Sequence, residues 1–327
     1  MQGKIALEEH FAVEGSFYNM DHYSAPGLAE DLTRRLGDIE DLRLAEMDRH
    51  GIELAVQSLN SPGVQGVSDI DQAIDLAVRS NNALAEQVEK RPGRFAGLAA
   101  LPMQNPDQAI KELYRCIVDL GFKGAMVNGF TAKDGEPDGV YFDREVYLPF
   151  WEASEKLDVP IYMHPRNPLP QHSRAYEDNP WLKGSPWAFA AETSIHALRL
   201  MTSGVFDAFP RAQLIIGHLG EHIPYDIWRI DHRLEKSPQG IPAKKSIREY
   251  MTENVHLTTA GKFYDPALHF AMGEVGVERI MFSADYPYET MSDAVNWFDN
   301  ADLSEEDRLK IGRTNAIELL KLDLKCA

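Results

Sequence analysis

Lys4-Ile5-Ala6-Leu7-Glu8-Glu9-His10 runs from an apolar stretch straight into a Glu-x-His pair, with no turn residue between. An uninterrupted apolar run of this length reads as a strand buried on both faces, the kind that builds parallel sheets. In an extended chain residues two apart share a face, so Glu8 and His10 project together from the strand's end and Glu9 points away. A carboxylate and an imidazole on one face can share a divalent metal if other strand ends bring partners.

Seven further aliphatic runs follow, at 53–59, 94–101, 123–128, 159–164, 213–218, 254–260 and 279–285. Helical periodicity fills the gaps: 38–50 closed by Gly51, 68–90 opening on a Ser68 cap, 105–120 closed by Gly121, then 143–157, 187–208, 223–235, 265–275 and 291–299. Strand and helix alternating eight times, with strands too apolar to keep a wet face, predict an α/β fold of the (β/α)8 TIM-barrel type. An open doubly wound sheet is the competitor, but no Gly-x-Gly-x-x-Gly follows the first strand, where Glu8 and His10 stand instead. Composition does not shift along the chain, so 1–327 reads as one domain, and 304–324 as two extra C-terminal helices. The long loops at 11–35, 60–67, 129–142, 165–185 and 286–290 all follow strands and crowd one mouth, which makes Phe17, Tyr18, Tyr23, Phe130 and Trp181 candidates to roof a pocket.

The charge balance narrows the partners. With 33 basic against 51 acidic residues the net charge is −18, which repels nucleic acid and anionic membrane surfaces. Only Cys116 and Cys326 are present, too few for a disulfide framework or a thiolate metal cluster. No basic-then-apolar leader and no membrane-spanning stretch is seen, so the expected location is the cytoplasm.

The strand ends converge in the barrel reading. Strand one ends in Glu8 and His10, strand five in His164, strand six in His218 and strand eight in Asp285. Glu8, His10, His164 and Asp285 form a donor set suited to one divalent ion, Zn or Mn, with Mg also possible. His218 is followed one turn later by Glu221, which can hold the imidazole in one tautomer, and the two read as a proton relay. Nothing calls for an organic cofactor: there is no Gly-x-Ser-x-Gly elbow and no phosphate-cradling loop.

At these residues the chain resembles the amidohydrolase superfamily, in its branch of metal-dependent aromatic acid decarboxylases. The similarity is carried by residues 3–10, Leu-Gly-Phe-Lys-Gly-Ala-Met-Val-Asn-Gly-Phe (120–130), Leu-Asp-Val-Pro-Ile-Tyr-Met-His-Pro-Arg-Asn-Pro-Leu-Pro (157–170), Ile-Ile-Gly-His-Leu-Gly-Glu-His-Ile-Pro (215–224) and Phe-Ser-Ala-Asp-Tyr-Pro-Tyr-Glu (282–289). Glu8 stands where hydrolytic relatives begin with His-x-His, and Asn128 where they offer a metal-bridging lysine, so a single metal is implied.

The resemblance implies decarboxylation of an ortho-hydroxybenzoate, closest to members acting on 2,6-dihydroxybenzoate. The alternatives are 2,3-dihydroxybenzoate or salicylate as substrate, or a hydrolase on the same barrel. It further implies that the substrate's carboxylate and phenolate chelate the metal and that Asp285 protonates the ring. Tyr23, Asn128, Phe130 and Arg229 are expected around the substrate, Arg229 with His232 also serving contacts between helices, and the assembly is expected to be a homotetramer or a dimer. A metal-bound Asp285 is expected to be pulled toward its ionised form by the cation and toward its neutral form by a dry pocket.

Overall fold

A computed structural model of the chain describes residues 1–16 and 27–324. Phe17, Tyr18 and Tyr23, expected over the pocket, lie outside the described residues.

Eight of the observed strand positions are those expected. In chain order the strands are β1 (Lys4–Phe11), β2 (Ile52–Leu59), β3 (Phe95–Gly97), β4 (Ala99–Ala100), β5 (Ala125–Asn128), β6 (Thr131–Lys133), β7 (Glu136–Val140), β8 (Ile161–His164), β9 (Leu214–Ile216), β10 (Val255–Thr258) and β11 (Ile280–Met281). β1-β2-β3 form one parallel sheet and β4-β5-β8-β9-β10-β11 a second. β3 and β4 are a single barrel strand interrupted at Leu98, whose N–H still donates to Gln57 of β2 at 2.9 Å. β11 and β1 share no regular ladder. They are joined by single bonds, His10 N to Tyr286 O at 2.7 Å, Glu8 N to Ser283 Oγ at 2.7 Å and Ala284 N to Glu9 Oε1 at 2.9 Å. This is the (β/α)8 barrel of the sequence reading.

β1 does not alternate regularly. Its pairing with β2 slips between Ala6 and Glu9. Ile5 and Leu7 pack inside the barrel with Tyr162, Ile215 and Met281, while Ala6 and Phe11 pack outward against the helices. The slip changes the phase, so the next inward residues are Glu8 and His10. One strand thus supplies an apolar floor and, directly above it, a polar centre. The floor is closed from below by Ala316, Ile317 and Leu320 of the C-terminal helix Asn315–Leu320.

Glu9 points outward, as alternation requires, yet it is fully buried. It accepts from Ala284 N, and burial pushes its pKa up to about 8. Arg43, also fully buried, donates to the carbonyl of His10 and lies over the Tyr286 ring, 4.8 Å from its centroid. It therefore ties the end of β1 to the residue after Asp285.

Several elements differ from expectation. The 11–35 loop ends in a helix, Leu28–Gly37, and the 129–142 loop contains the β6–β7 hairpin. A helix at Ile247–Glu253 was not anticipated although Ser246 and Glu249 form a full capping box before it. Asp69, not Ser68, caps the helix Ile70–Lys90, accepting from Gln72 N at 2.8 Å. The two tail helices, Glu305–Leu309 and Asn315–Leu320, are joined by a π-helical turn. No helix among the described residues is long and apolar enough to cross a membrane.

Candidate active site

The four side chains at the strand ends meet. One donor atom each from Glu8, His10, His164 and Asp285 lies within 4.8 Å of the other three. His164 Nε2 is 3.3 Å from Glu8 Oε1, and His10 Nε2 is 3.3 Å from Asp285 Oδ1 and 3.9 Å from Glu8 Oε1. Four donors bonded to one ion at ~2.1 Å in a tetrahedron sit roughly 3.4 Å apart, so the spacing fits a cation at their centre.

A second observation agrees. Glu8 Oε1, His10 Nε2 and Asp285 Oδ1 are buried and have no hydrogen-bond partner among the described residues. Buried polar atoms are ordinarily satisfied, and three orphans aimed at one point are explained by a ligand that is neither donor nor acceptor. On its other side the His10 ring is placed by Ser58, whose Oγ lies 3.3 Å from Nδ1. A proton on Nδ1 leaves the Nε2 lone pair for a metal.

His218 stands beside this set. Its Nε2 is 3.7 Å from Asp285 Oδ2 and 3.8 Å from Glu8 Oε1, and its Nδ1 is 2.8 Å from Glu221 Oε1. Asp285 thus divides its oxygens, Oδ1 to the metal set and Oδ2 to His218. Burial lowers the His218 pKa, but the charges of Glu221 and Glu8 overcome it and hold the imidazole well above its usual range. Asp285 moves the other way: burial opposes ionisation, yet His10 and His218 hold the carboxyl below its ordinary value. Within the chain itself the two histidines thus favour the Asp285 carboxylate, and the charges of Glu221 and Glu8 favour a proton on His218.

The backbone here is unusual. His218, Leu219, Glu221 and Asp285 all have positive φ, at 51°, 54°, 59° and 67°. Each such non-glycine residue costs about 1–3 kcal/mol, a strain that persists where the surroundings fix a functional geometry. Gly261, at φ +58°, lets the loop after β10 close over the relay: a Cβ there would lie 3.1 Å from His218 Cδ2 and 3.3 Å from Asp285 Oδ2.

The remaining expected residues fall less uniformly. Asn128 is buried at the end of β5, in register with His164, and Phe130 is buried beneath the Arg166 guanidinium at 4.0 Å. Trp181 is 68% exposed, and Arg229 is exposed on the helix Ile223–Lys236, so within this chain neither lines the cluster. The Tyr288 ring, not anticipated, packs edge-on against His10 with centroids 5.6 Å apart.

The amidohydrolase family model matches residues 10–322. The γ-resorcylate decarboxylase of Rhizobium radiobacter is 51% identical over 325 residues, covering 99% of both chains. The structure matches that of a 2,6-dihydroxybenzoate decarboxylase complexed with 2,6-dihydroxybenzoate at a TM-score of 0.96 and 51% identity, covering 98% of this chain and 100% of that one. It matches the dihydroxybenzoic acid decarboxylase of Polaromonas sp. JS666, solved with manganese and the inhibitor 2-nitroresorcinol, at a TM-score of 0.97 and 49% identity, covering 99% and 98%. The chain belongs to the amidohydrolase family, in the aromatic acid decarboxylase branch that holds the γ-resorcylate decarboxylases.

Proposed function

We propose that this chain catalyses the reversible, non-oxidative decarboxylation of 2,6-dihydroxybenzoate to resorcinol and carbon dioxide. The observation that carries the reading is the meeting of Glu8, His10, His164 and Asp285 with the His218–Glu221 pair at one barrel mouth. Identity of 51% over 99% of the length to a γ-resorcylate decarboxylase supports the substrate. Glu8, His10, His164 and Asp285 would hold one divalent ion, manganese by analogy with the Polaromonas enzyme or zinc by donor type. When bound, that ion supplies positive charge that fixes and neutralises the substrate's carboxylate and adjacent phenolate oxygen.

The chain's own residues handle the proton. Asp285, taking a proton from His218, delivers it to the ring carbon bearing the carboxylate, ring π electrons forming the new C–H bond. The bond to the carboxylate then breaks, its electron pair returns to the ring, and carbon dioxide leaves. One proton is consumed per turnover, and His218, 3.7 Å from Asp285 Oδ2, replaces it from solvent. Glu221 orients His218. Glu221→Gln should therefore lower kcat by roughly 10–100-fold with little change in KM, measured by steady-state kinetics; a proportional rise in KM at constant kcat would place Glu221 in binding instead.

Asn128 and Phe130 shape the pocket in this reading, and the protein is cytoplasmic. It works as a homo-oligomer, a tetramer in this reading; the exposed Tyr225 and Trp228 of the helix Ile223–Lys236, with Phe270 packed on Tyr225, offer an apolar surface for contact between subunits. The test of substrate and reaction class is incubation with 2,6-dihydroxybenzoate in deuterated buffer, beside 2,3-dihydroxybenzoate and salicylate. Resorcinol carrying ring deuterium is expected. Turnover of only the other two acids would move the substrate, and oxygen-18 taken from water into a product would make the enzyme a hydrolase.

A further inference from the structure

Glu8 uses its two carboxylate oxygens differently. Oε1 has no hydrogen-bond partner and faces His164, His10 and His218. Oε2 accepts from the hydroxyl of Tyr162. Tyr162 stands two residues before His164 on β8, on the same inward face, and is wholly buried. Its Oη lies 2.6 Å from Oγ1 of Thr258 on β10. A phenol carries one hydrogen, and with that given to Glu8 the Thr258 hydroxyl donates to Tyr162. Three buried groups on three strands therefore form a directed chain, Thr258 to Tyr162 to Glu8.

Gly217 confines the same oxygen from another side. Its backbone is extended, φ −68° and ψ −176°, a conformation open to any residue. What glycine supplies there is space, since a Cβ would lie 2.5 Å from Glu8 Oε2 and 3.3 Å from Tyr162 Oη and would displace the carboxylate.

We propose that Tyr162 is a positioning residue of the metal centre: with Gly217 leaving the room, it engages Glu8 Oε2 so that Glu8 offers the cation a single oxygen. The inference rests on the metal reading above. A Glu8 free to turn would bring both oxygens to the cation and take a position that the chelating substrate needs. The charge-assisted bond from a buried phenol, in a site that excludes competing water, resists that turn.

The test is Tyr162→Phe, which removes one oxygen atom and leaves the ring. Metal-stripped protein is titrated with manganese, and the bound ion is followed by electron paramagnetic resonance. The manganese dissociation constant should rise ten- to a hundredfold, the bound-manganese spectrum should change, and KM for 2,6-dihydroxybenzoate should rise. Gly217→Ala should alter the same spectrum by pushing the carboxylate, and decides the matter if the phenylalanine variant does not fold. Wild-type manganese binding with both spectrum and affinity unchanged in the variants overturns the role of Tyr162 alone. A wild-type protein that takes up neither manganese nor zinc overturns the metal reading and this inference with it.

Discussion

Asp285→Asn is expected to reduce resorcinol formation by about 10²–10⁴-fold, the range over which a positioned acid contributes, while the protein still folds and takes up metal. The substitution keeps the shape and one oxygen. The amide oxygen can occupy the place of Oδ1, 3.3 Å from His10 Nε2, so the metal set loses charge without losing a donor. The amide nitrogen then replaces Oδ2, the atom 3.7 Å from His218 Nε2. An NH2 group there opposes the protonated imidazole, donor against donor, and removes part of what holds the His218 pKa up. Two defects follow from one atom: the side chain cannot carry a proton, and its neighbour is less able to hold one. Rate measurements with metal content determined on the same sample test this. A variant with full metal and near-normal turnover would remove Asp285 from the acid's role, and a variant empty of metal would show that its charge is needed for the cation first.

The sequence made much of this site legible because the barrel turns local patterns into convergence. Glu8, His10, His164, His218 and Asp285 each end an apolar run, and in a parallel barrel such ends meet at one mouth. No tertiary information was needed beyond the order of strands.

What alternation could not deliver is the phase of β1. Read strictly, a two-residue period puts Ala6 on the face of Glu8, yet the slip after Ala6 turns Ala6 outward and Leu7 inward. A register slip depends on the partner strand, which no single segment encodes. Tyr162 was within reach, since it precedes His164 by two residues and must share its face. It reads as one more apolar core residue until its hydroxyl is seen on Glu8. Gly217 was beyond reach, because its role is the space it leaves for a residue more than 200 positions earlier. The helix Ile247–Glu253 was missed for a different reason: at seven residues it is too short for periodicity to register, and only its capping box marks it.

Removal of the metal is expected to abolish turnover and to lower the melting temperature, both restored by manganese or zinc. The loss of turnover follows from the substrate's charge. The barrel mouth holds Glu8 and Asp285, whose carboxyls the neighbouring histidines hold below their ordinary range, within a chain of net charge −18. A benzoate brought there without a cation meets like charge in a buried site, where screening is weak. The loss of stability follows from linkage, because a ligand that binds only the folded chain stabilises it by RT ln(1 + [L]/Kd), about 4 kcal/mol at a thousandfold excess over Kd. In proteins of this size each kcal/mol moves the midpoint by roughly 2 °C, so the shift should be on the order of 5–10 °C. His164→Ala is the control: it removes one of the four donors, leaves Asp285 and His218 in place, and should melt near the metal-free wild type while responding weakly to added manganese. Differential scanning calorimetry beside the resorcinol assay reads both effects. If chelation leaves rate and melting temperature alone, the three unpartnered atoms at the barrel mouth need another explanation, and the decarboxylation would have to run on the proton relay of Asp285, His218 and Glu221 unaided.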